Sequence, residues 1–310
     1  MAKSLIVNAD GFGFTRGINR GIEEAVARGI VTSISVNANF DPIAELPAFV
    51  RAFPHISVGV HLNPVVGRPL ADPRSVPTLV DGDGYFHYQG FTDRLLHRRI
   101  NLDELAYELS LQIERVREMG VRISHLDSHQ NQHLYPAFFP IFMDLLKRHG
   151  IACMRTHVHF IPADSPRLQL DRRLIYLRQP ARLPVHLFTR YMMWRARRQG
   201  AIMADRLLTT ARSGHKAELP RWLQLLRNVP EGWSEVYCHP AYPDDELRRW
   251  ATYVEPRRRE IDVLTSRETR DEIERRGIEL KSFHDLYRAK TMIPEALRDA
   301  GIGRKGKEGW

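Results

Sequence analysis

The sequence predicts an α/β protein in which a mainly parallel sheet closes into an irregular (β/α) barrel. Short apolar runs alternate with longer amphipathic segments along most of the 310 residues, and this alternation is typical of parallel strands connected by helices. Aspartate or histidine side chains also follow the ends of several predicted strands. Because barrel enzymes carry their chemistry at the carboxyl ends of the strands, this placement predicts an active site there.

Strands are expected where aliphatic and β-branched residues form short runs. The first, LIVN, ends just before Asp10, and ISVGVHLN carries His61 near its end. VRISHLDSHQ continues into a histidine-rich loop, and WSEVYCHPA places His239 beyond a further strand. In chain order, the strands are predicted at 5–8, 31–38, 56–63, 121–130, 151–156, 233–241 and 278–283.

Helices are expected between the strands, where apolar residues recur every three or four positions. The clearest is the amphipathic segment LDELAYELSLQIERVREMG. Glycines near the ends of other segments can cap the carboxyl end of a helix. The helices are predicted at 18–30, 43–53, 102–120 and 136–150, with a late one that closes at 270–277.

One domain is expected over residues 1–290, with irregular insertions at about 64–100 and 157–215. The first insertion is rich in proline, glycine and aspartate, and its DGDG stretch predicts a hairpin turn. Long loops of this kind often act as lids over a site. Residues 291–310 are predicted to be a flexible tail.

The composition predicts a soluble globular protein, with 43% hydrophobic and 27% charged residues. No secretory signal is recognised and there are only two cysteines, which favours the cytoplasm. No apolar stretch reaches the roughly 18 residues that a membrane span requires. The net charge of +9 favours a solvated basic surface, because no nucleic-acid-binding motif accompanies it.

The segment HLDSHQNQH is the strongest candidate for a metal or catalytic site. It contains three histidines and an aspartate, and imidazole is a good ligand for zinc and similar ions. In an extended chain, His125, Asp127 and His129 would share one face, and the carboxylate could orient a ligating histidine. His61 is then a further candidate ligand, since a catalytic zinc site commonly combines histidines and a carboxylate with an open position.

The CHP sequence at 238–240 leaves two roles open. One is a cysteine nucleophile beside a histidine, but neighbouring residues of a strand point to opposite faces. We therefore expect Cys238 in the core and His239 facing the site, where it could give a proton to a leaving amine.

Several separated motifs occur in a fixed order between about Ser4 and Tyr287, namely LIVNADGFG, GIVTS, VGVHLN, VPTLVDGDGYF, HLDSHQNQH, CHPA and RGIEL. With this set the chain resembles the YdjC-like carbohydrate deacetylase family, which includes the ChbG and HpnK groups. The resemblance implies an irregular (β/α) barrel related to polysaccharide deacetylases. It also implies a metal-dependent hydrolase of carbohydrate metabolism that removes the acetyl group from an N-acetylated amino sugar.

The resemblance assigns roles to individual residues. Asp10 would be the catalytic base, and His239 would assist the departing amine. His61 and His129 would bind one divalent metal ion, magnesium or zinc, together with an aspartate at position 11. Neighbouring residues would support the metal or contact the substrate, namely Asn63, His125, Asp127, Asn131 and His133.

The sequence departs from the family pattern at two positions. Asn131 stands where a histidine is usual, and Gly11 stands where the metal-binding aspartate is expected. Three interpretations stay open: Asp10 becomes a ligand, Asp127 or a water fills the position, or the protein binds its sugar without cutting it. The last defines the alternative function, a catalytically impaired sugar-binding homologue.

The basic, aromatic-rich segment 167–200 suggests contact with a membrane surface. The alternative is a helix that packs its apolar side on the barrel. Membrane contact would place the protein at the inner face of the membrane and would suit a sugar carried on a polyprenyl lipid. No nucleic-acid partner is expected, and the resemblance suggests a homodimer.

Overall fold

The computed structural model describes residues 2–160, 182–209 and 217–292. In this part of the chain a parallel sheet curls into a barrel-like layer surrounded by helices, which confirms the predicted fold class. Three predicted features fall partly or wholly outside the described residues. These are the start of the basic segment, much of the second insertion and nearly all of the tail, at 161–181, 210–216 and 293–310.

The sheet contains nine strands within the described ranges, all paired in parallel. They are β1 Lys3–Phe12, β2 Ser33–Val36, β3 Ser57–Leu62, β4 Ile123–Ser128, β5 Cys153–Met154, β6 His159–Phe160, β7 Arg206–Leu208, β8 Gly232–Cys238 and β9 Ile278–Leu280. Their order is β5-β4-β3-β2-β1-β8-β7-β6, and β9 also pairs with β1. The amide of Met154 donates to the carbonyl of Ile202 at 2.9 Å, which joins the β5 edge to the segment leading into β7.

Helices cover the outside of the sheet. They are α1 Arg16–Ala27, α2 Leu46–Ala52, α3 Phe91–Leu96, α4 Leu102–Glu118, α5 Phe139–Arg148, α6 Arg182–Arg198, α7 Leu219–Arg227, α8 Asp245–Trp250, α9 Pro256–Thr265, α10 Arg267–Arg275 and α11 Phe283–Thr291. Short 3₁₀ helices lie at Asp41–Glu45, Pro73–Ser75 and His129–Leu134. Among the described residues, no helix is both long enough and apolar enough to cross a bilayer.

The first βα unit illustrates how the sequence produces these elements. The consecutive residues Leu5, Ile6 and Val7 of β1 point to alternate faces and are all fully buried, as expected for a strand at the centre of a sheet that is covered on both faces. α1 begins where the Thr15 hydroxyl accepts a hydrogen bond from the amide of Ile18 at 3.2 Å, a side-chain cap of the first turn. The chain therefore leaves the sheet at a fixed point, and Asp10 stays near the rim.

The structure refines several predicted boundaries. β4 ends at Ser128, inside the segment 121–130 that was predicted to run from a strand into a loop. Beyond it, Gln130 and Asn131 adopt left-handed backbone conformations with φ of 52° and 57°. The DGDG turn is present, since Val80 and Phe86 form an antiparallel bridge on either side of it. The basic segment forms helix α6 where it is described.

Candidate active site

The carboxyl ends of the strands surround a cavity of about 440 Å³. Asp10 lies near the end of β1 and His61 near the end of β3, whereas His129 follows β4 and His239 follows β8. All four side chains line this cavity. The structure thus brings together residues that are up to 229 positions apart, because parallel strands end at the same rim of the barrel.

Asp10 is buried, and several donors fix its carboxylate. The Asn8 side-chain amide donates to Oδ1 at 2.8 Å, and the Ser35 hydroxyl lies 3.2 Å from the same oxygen. The Arg155 guanidinium donates to both oxygens, at 2.6 and 2.8 Å. Burial by itself would raise the pKa of Asp10, but Arg155 holds that pKa well below its usual value. Asp10 is therefore an anion with a fixed orientation.

Arg155 follows β5, and sequence reasoning did not select it. It is almost completely buried, yet its guanidinium contacts three carboxylates that come from different strands. Besides Asp10, it lies 2.8 Å from Asp127 and donates to Glu235 at 2.8 Å. One guanidinium cannot fully balance three carboxylates, and burial raises the pKa of Glu235 to about 7. One sequence signal could have identified Arg155. It is a basic residue near the end of the predicted strand 151–156, which is the next strand after the histidine-rich segment 125–133.

His61 and Asp127 form a buried pair. Nδ1 of His61 lies 2.8 Å from Oδ1 of Asp127, a contact that fixes the ring and leaves Nε2 for another partner. Burial would lower the pKa of His61, but the Asp127 carboxylate raises it above its usual value. The carboxylate thus occupies the orienting position that the sequence suggested for it, although it acts on His61 and not on a histidine of its own segment.

His129 and His239 stand on two other sides of the cavity. The His129 and His61 rings are 5.6 Å apart between centroids, and burial lowers the pKa of His129 to about 3, so this imidazole is neutral. Nε2 of His239 lies 3.9 Å from Oδ2 of Asp10. The amide of His239 donates to Glu260 at 2.7 Å, which fixes the backbone just after β8.

His125 and His133 do not line the cavity, although both were candidates for supporting the metal or contacting substrate. His125 stacks on Phe283 with 3.8 Å between ring centroids, and His133 stacks on Phe142 at 4.4 Å. His125 lies two residues before Asp127 on the same strand, so it faces the same side but one layer deeper in the barrel. Burial lowers the pKa of each of these two histidines to about 3.

The two candidate asparagines also differ in position. Asn63 is buried outside the cavity, where its Oδ1 accepts from the amides of Val65 and Val66 at 3.1 and 3.0 Å. Its role in the structure is to hold the loop after β3. Asn131 does line the cavity, next to Gln130.

Gly11 lines the cavity at an irregularity of β1, where the pairing with β2 shifts register. Its φ is +105°, a conformation that residues with a side chain rarely adopt. The space beside it is nonetheless open, because an added Cβ would have no neighbour closer than 3.8 Å. The neighbour from Asn37 is the side-chain nitrogen Nδ2, at 3.8 Å. Asn37 is 2% exposed, and its Oδ1 has no hydrogen-bond partner among the described residues.

The donors around the cavity fit a divalent metal ion in part. The potential ligand atoms of Asp10, His61 and Asp127 lie within 4.8 Å of one another. Arg155 already forms ion pairs with both of these carboxylates, so a metal ion at this point would compete with the guanidinium. The imidazoles of His61 and His129 line the same cavity and are further potential ligands, and Asn37 also lines it.

Aromatic side chains form much of the remaining wall, namely Phe14, Tyr88, Tyr237, Trp250 and Tyr253. Tyr88 and Trp250 meet edge to face with 6.0 Å between their centroids. A concave site with apolar rings and a few fixed polar groups is suited to a small organic ligand.

The YdjC-like protein family model matches residues 4–275 of the chain. A carbohydrate deacetylase of Geobacillus stearothermophilus is 30% identical over 290 residues, which cover 93% of this chain and all of the relative. A chitooligosaccharide deacetylase of Citrobacter koseri is 32% identical over 292 residues, covering 92% of this chain and all of the relative.

A solved structure supports the same relationship. A crystal structure from Enterococcus faecalis, of a protein named for cellobiose-phosphate cleavage, superposes with a TM-score of 0.74 and 30% identity. The match covers 92% of this chain and 99% of the other. Sequence and fold agree over nearly the full length, so the chain belongs to the YdjC-like family.

Proposed function

We propose that the protein is a carbohydrate N-deacetylase, which hydrolyses the acetamido group of an N-acetylated amino sugar. The observation that supports this most strongly is the meeting of Asp10, His61, His129 and His239 in one aromatic-lined cavity. Membership of the family and the carbohydrate deacetylases among its relatives favour the same reaction. The residue types match its demands, because amide hydrolysis needs an activated water and a protonated leaving nitrogen.

Asp10 and His239 are placed to move the two protons. As water attacks the acetyl carbon, Asp10 accepts its proton, and when the C–N bond breaks, protonated His239 gives a proton to the amine. Acetate and the free amino sugar leave. Arg155 acts on this step through Asp10, because its paired hydrogen bonds keep the carboxylate ionised and aimed at the cavity. Nε2 of His239 lies 3.9 Å from Oδ2 of Asp10, so the two proposed proton-transfer groups stand next to each other in the cavity.

We also propose that His61 and His129 hold one divalent metal ion. Asn37 would supply an oxygen in place of the carboxylate that Gly11 lacks, with its amide flipped so that Oδ1 takes the position of Nδ2 beside Gly11. Such an ion would supply a Lewis acid for the acetyl carbonyl and the water. Asp127 fixes the His61 ring, and burial keeps His129 neutral, the form that can bind a metal. Two imidazoles favour zinc or a similar transition metal over magnesium, which prefers oxygen ligands.

A second candidate function is binding of an N-acetylated sugar without turnover, and Gly11 is the observation that favours it. Without an anionic ligand, a metal held by two neutral imidazoles and an amide is bound less tightly. Such a protein would retain the aromatic cavity and the Asp10–Arg155 pair but release no acetate.

Acetate release separates the two functions. Purified full-length protein is loaded in turn with zinc, cobalt, manganese and magnesium and offered N-acetylglucosamine oligomers, with binding measured by calorimetry in parallel. We expect acetate with zinc or cobalt and none from a His239→Ala, Asp10→Asn double variant. Binding without acetate under every metal would favour the sugar-binding function, and neither binding nor acetate would contradict both.

A further inference from the structure

One charged side chain of the catalytic cavity takes no part in the proton transfers described above. Arg257 lines this cavity from the first turn of α9. Its Nε donates to the carbonyl oxygen of Tyr253 at 2.6 Å, whereas its two terminal nitrogens make no hydrogen bond or ion pair within the described ranges. Arg257 therefore presents a guanidinium with a fixed stem and available donors.

Backbone contacts hold Arg257 next to the segment that carries His239. The carbonyl oxygen of Arg257 accepts from the amide of Ala241 at 3.3 Å, and Ala241 lies two residues after His239. Glu260, one turn further along α9, already accepts from the Tyr253 hydroxyl at 2.5 Å and from the amide of His239 at 2.7 Å. Its carboxylate thus binds other donors, and Arg257 stays directed at the cavity.

The positive charge of Arg257 acts on the groups that surround the proposed reaction. Burial lowers the pKa of His129, and the Arg257 guanidinium lowers it further. Burial also lowers the pKa of Arg257 itself, and Asp10 is among the anions that oppose this shift. Arginine nevertheless stays protonated in proteins. Since Arg155 already binds both oxygens of Asp10, the second cation is left for an anion that a ligand provides.

The proposed substrate has a neutral acetamido group, so the anion at this group arises only during the reaction. When water attacks, the new C–O bond forms while the electron pair of the carbonyl π bond moves onto its oxygen. When the intermediate collapses, that pair re-forms the carbonyl, the C–N bond breaks, and its electron pair takes the proton from His239. The acetic acid formed loses its proton to solvent. An oxyanion and then acetate therefore occupy the same place.

We propose that Arg257 is a catalytic residue, whose terminal N–H groups bind the acetyl oxygen as it becomes an oxyanion and then bind the acetate product. The inference rests on the proposed function and adds a group that stabilises its transition state. The planar donors of arginine match a carboxylate in geometry. A charged substituent elsewhere on the sugar is the other conceivable anion, but the influence of Arg257 on His129 and Asp10 favours the reacting group.

The kinetic test compares Arg257→Met with Arg259→Met in full-length protein, loaded with the metal ion that gives most acetate and offered N-acetylglucosamine oligomers. Arg259 is a matched control, because it is an exposed arginine of the same helix and does not line the cavity. We expect Arg257→Met to lower kcat about 10²- to 10³-fold with little change in KM. Arg259→Met should change neither constant. Arg257→Lys retains the charge without the planar donors and should lower kcat about tenfold.

Two further measurements separate lost chemistry from lost folding. Methylguanidinium added to Arg257→Ala should restore part of kcat, because the free ion can take the place of the missing side chain. A protein that had merely lost its fold would not respond. Acetate should inhibit the unsubstituted protein, and its inhibition constant should rise about tenfold or more in Arg257→Met, since a charged hydrogen-bond donor is removed.

These outcomes differ from those that test the proposed function. Acetate release with an unchanged kcat in Arg257→Met would overturn the role of Arg257 alone. A loss confined to sugars that carry a phosphate or carboxylate would overturn it as well and assign Arg257 to that substituent. Calorimetry covers the remaining case. Binding of acetate that depends on Arg257, in a protein that releases none from any sugar, would contradict deacetylation and leave the anion site intact.

Discussion

The catalytic cavity and the core layer beside it draw histidines from the same short segment, but different forces hold them. Around the cavity, His61 is tied to Asp127 and the Asp10 and Asp127 carboxylates are tied to Arg155, so charge sets the geometry. In the core, His125 and His133 stack on phenylalanine rings and are packed as neutral aromatic groups. A histidine near a strand end is thus a ligand candidate only if its ring reaches the cavity.

The largest effect is expected from removing the charge of Arg155 from the buried network around the cavity. Arg155→Met leaves Asp10, Asp127 and Glu235 buried without their shared cation, which should lower the free energy of unfolding by about 3–5 kcal/mol. Denaturant titration checks this. Arg28→Met is the control, because the Arg28–Glu24 pair is exposed and its loss should cost less than about 1 kcal/mol. Similar losses in both variants would show that the buried network does not hold the cavity.

The next prediction compares a cavity residue, His129, with a core residue, His133, of the same 3₁₀ helix. His129→Ala should lower kcat/KM about 10²- to 10³-fold with little change in stability, since its ring lines the cavity. His133→Ala should lower the unfolding free energy by about 2–4 kcal/mol and leave kcat almost unchanged, since it removes a stacked core group. Deacetylase assays and denaturant titrations on the same two proteins provide the comparison, and a reversed pattern would exchange the two roles.

Acid should destabilise the core region in a defined pH range. Burial lowers the pKa of His125 to about 3 in the folded protein, while the unfolded chain binds a proton near pH 6.5. The contribution of His125 to the free energy of unfolding is therefore fully present above about pH 6.5. It decreases by about 1.4 kcal/mol per pH unit as the pH drops toward 3. His125→Phe retains an aromatic ring against Phe283 and should reduce the slope of unfolding free energy against pH by that amount. Parallel slopes between pH 6 and 4 would contradict this.

The smallest expected effect concerns Gly11. Gly11→Asp has room for its side chain but must adopt a φ of +105°, which should cost about 1 kcal/mol in the metal-free protein. The added carboxylate should tighten zinc binding on the order of tenfold or more, as measured by competition with a chelator. An Asn37→Ala variant should weaken zinc binding if Asn37 supplies the oxygen that position 11 lacks. Unchanged affinity in both variants would remove position 11 and Asn37 from the metal site.

Much of the fold followed from local pattern. The apolar runs that precede Asp10, His61 and His239 are bounded by polar residues, and each run forms a strand. Asp10 and His61 lie within their strands, and His239 directly follows its strand. The left-handed backbone at Gln130 and Asn131 was not predicted, because neither residue type demands that conformation. Arg155 was missed for another reason, since its partners lie on other strands and Asp10 is 145 residues away.

The sequence by itself determined the alternation of strands and helices, and with it which side chains arrive at the carboxyl rim. Parallel pairing then brings Asp10, His61, His129 and His239 together, because strand direction is fixed once helices connect the strands. Only the tertiary structure decided which histidines reach the cavity, since strand register sets the depth of each ring. It alone also joined Arg155 to three carboxylates, because those contacts exist only after distant strands pack together.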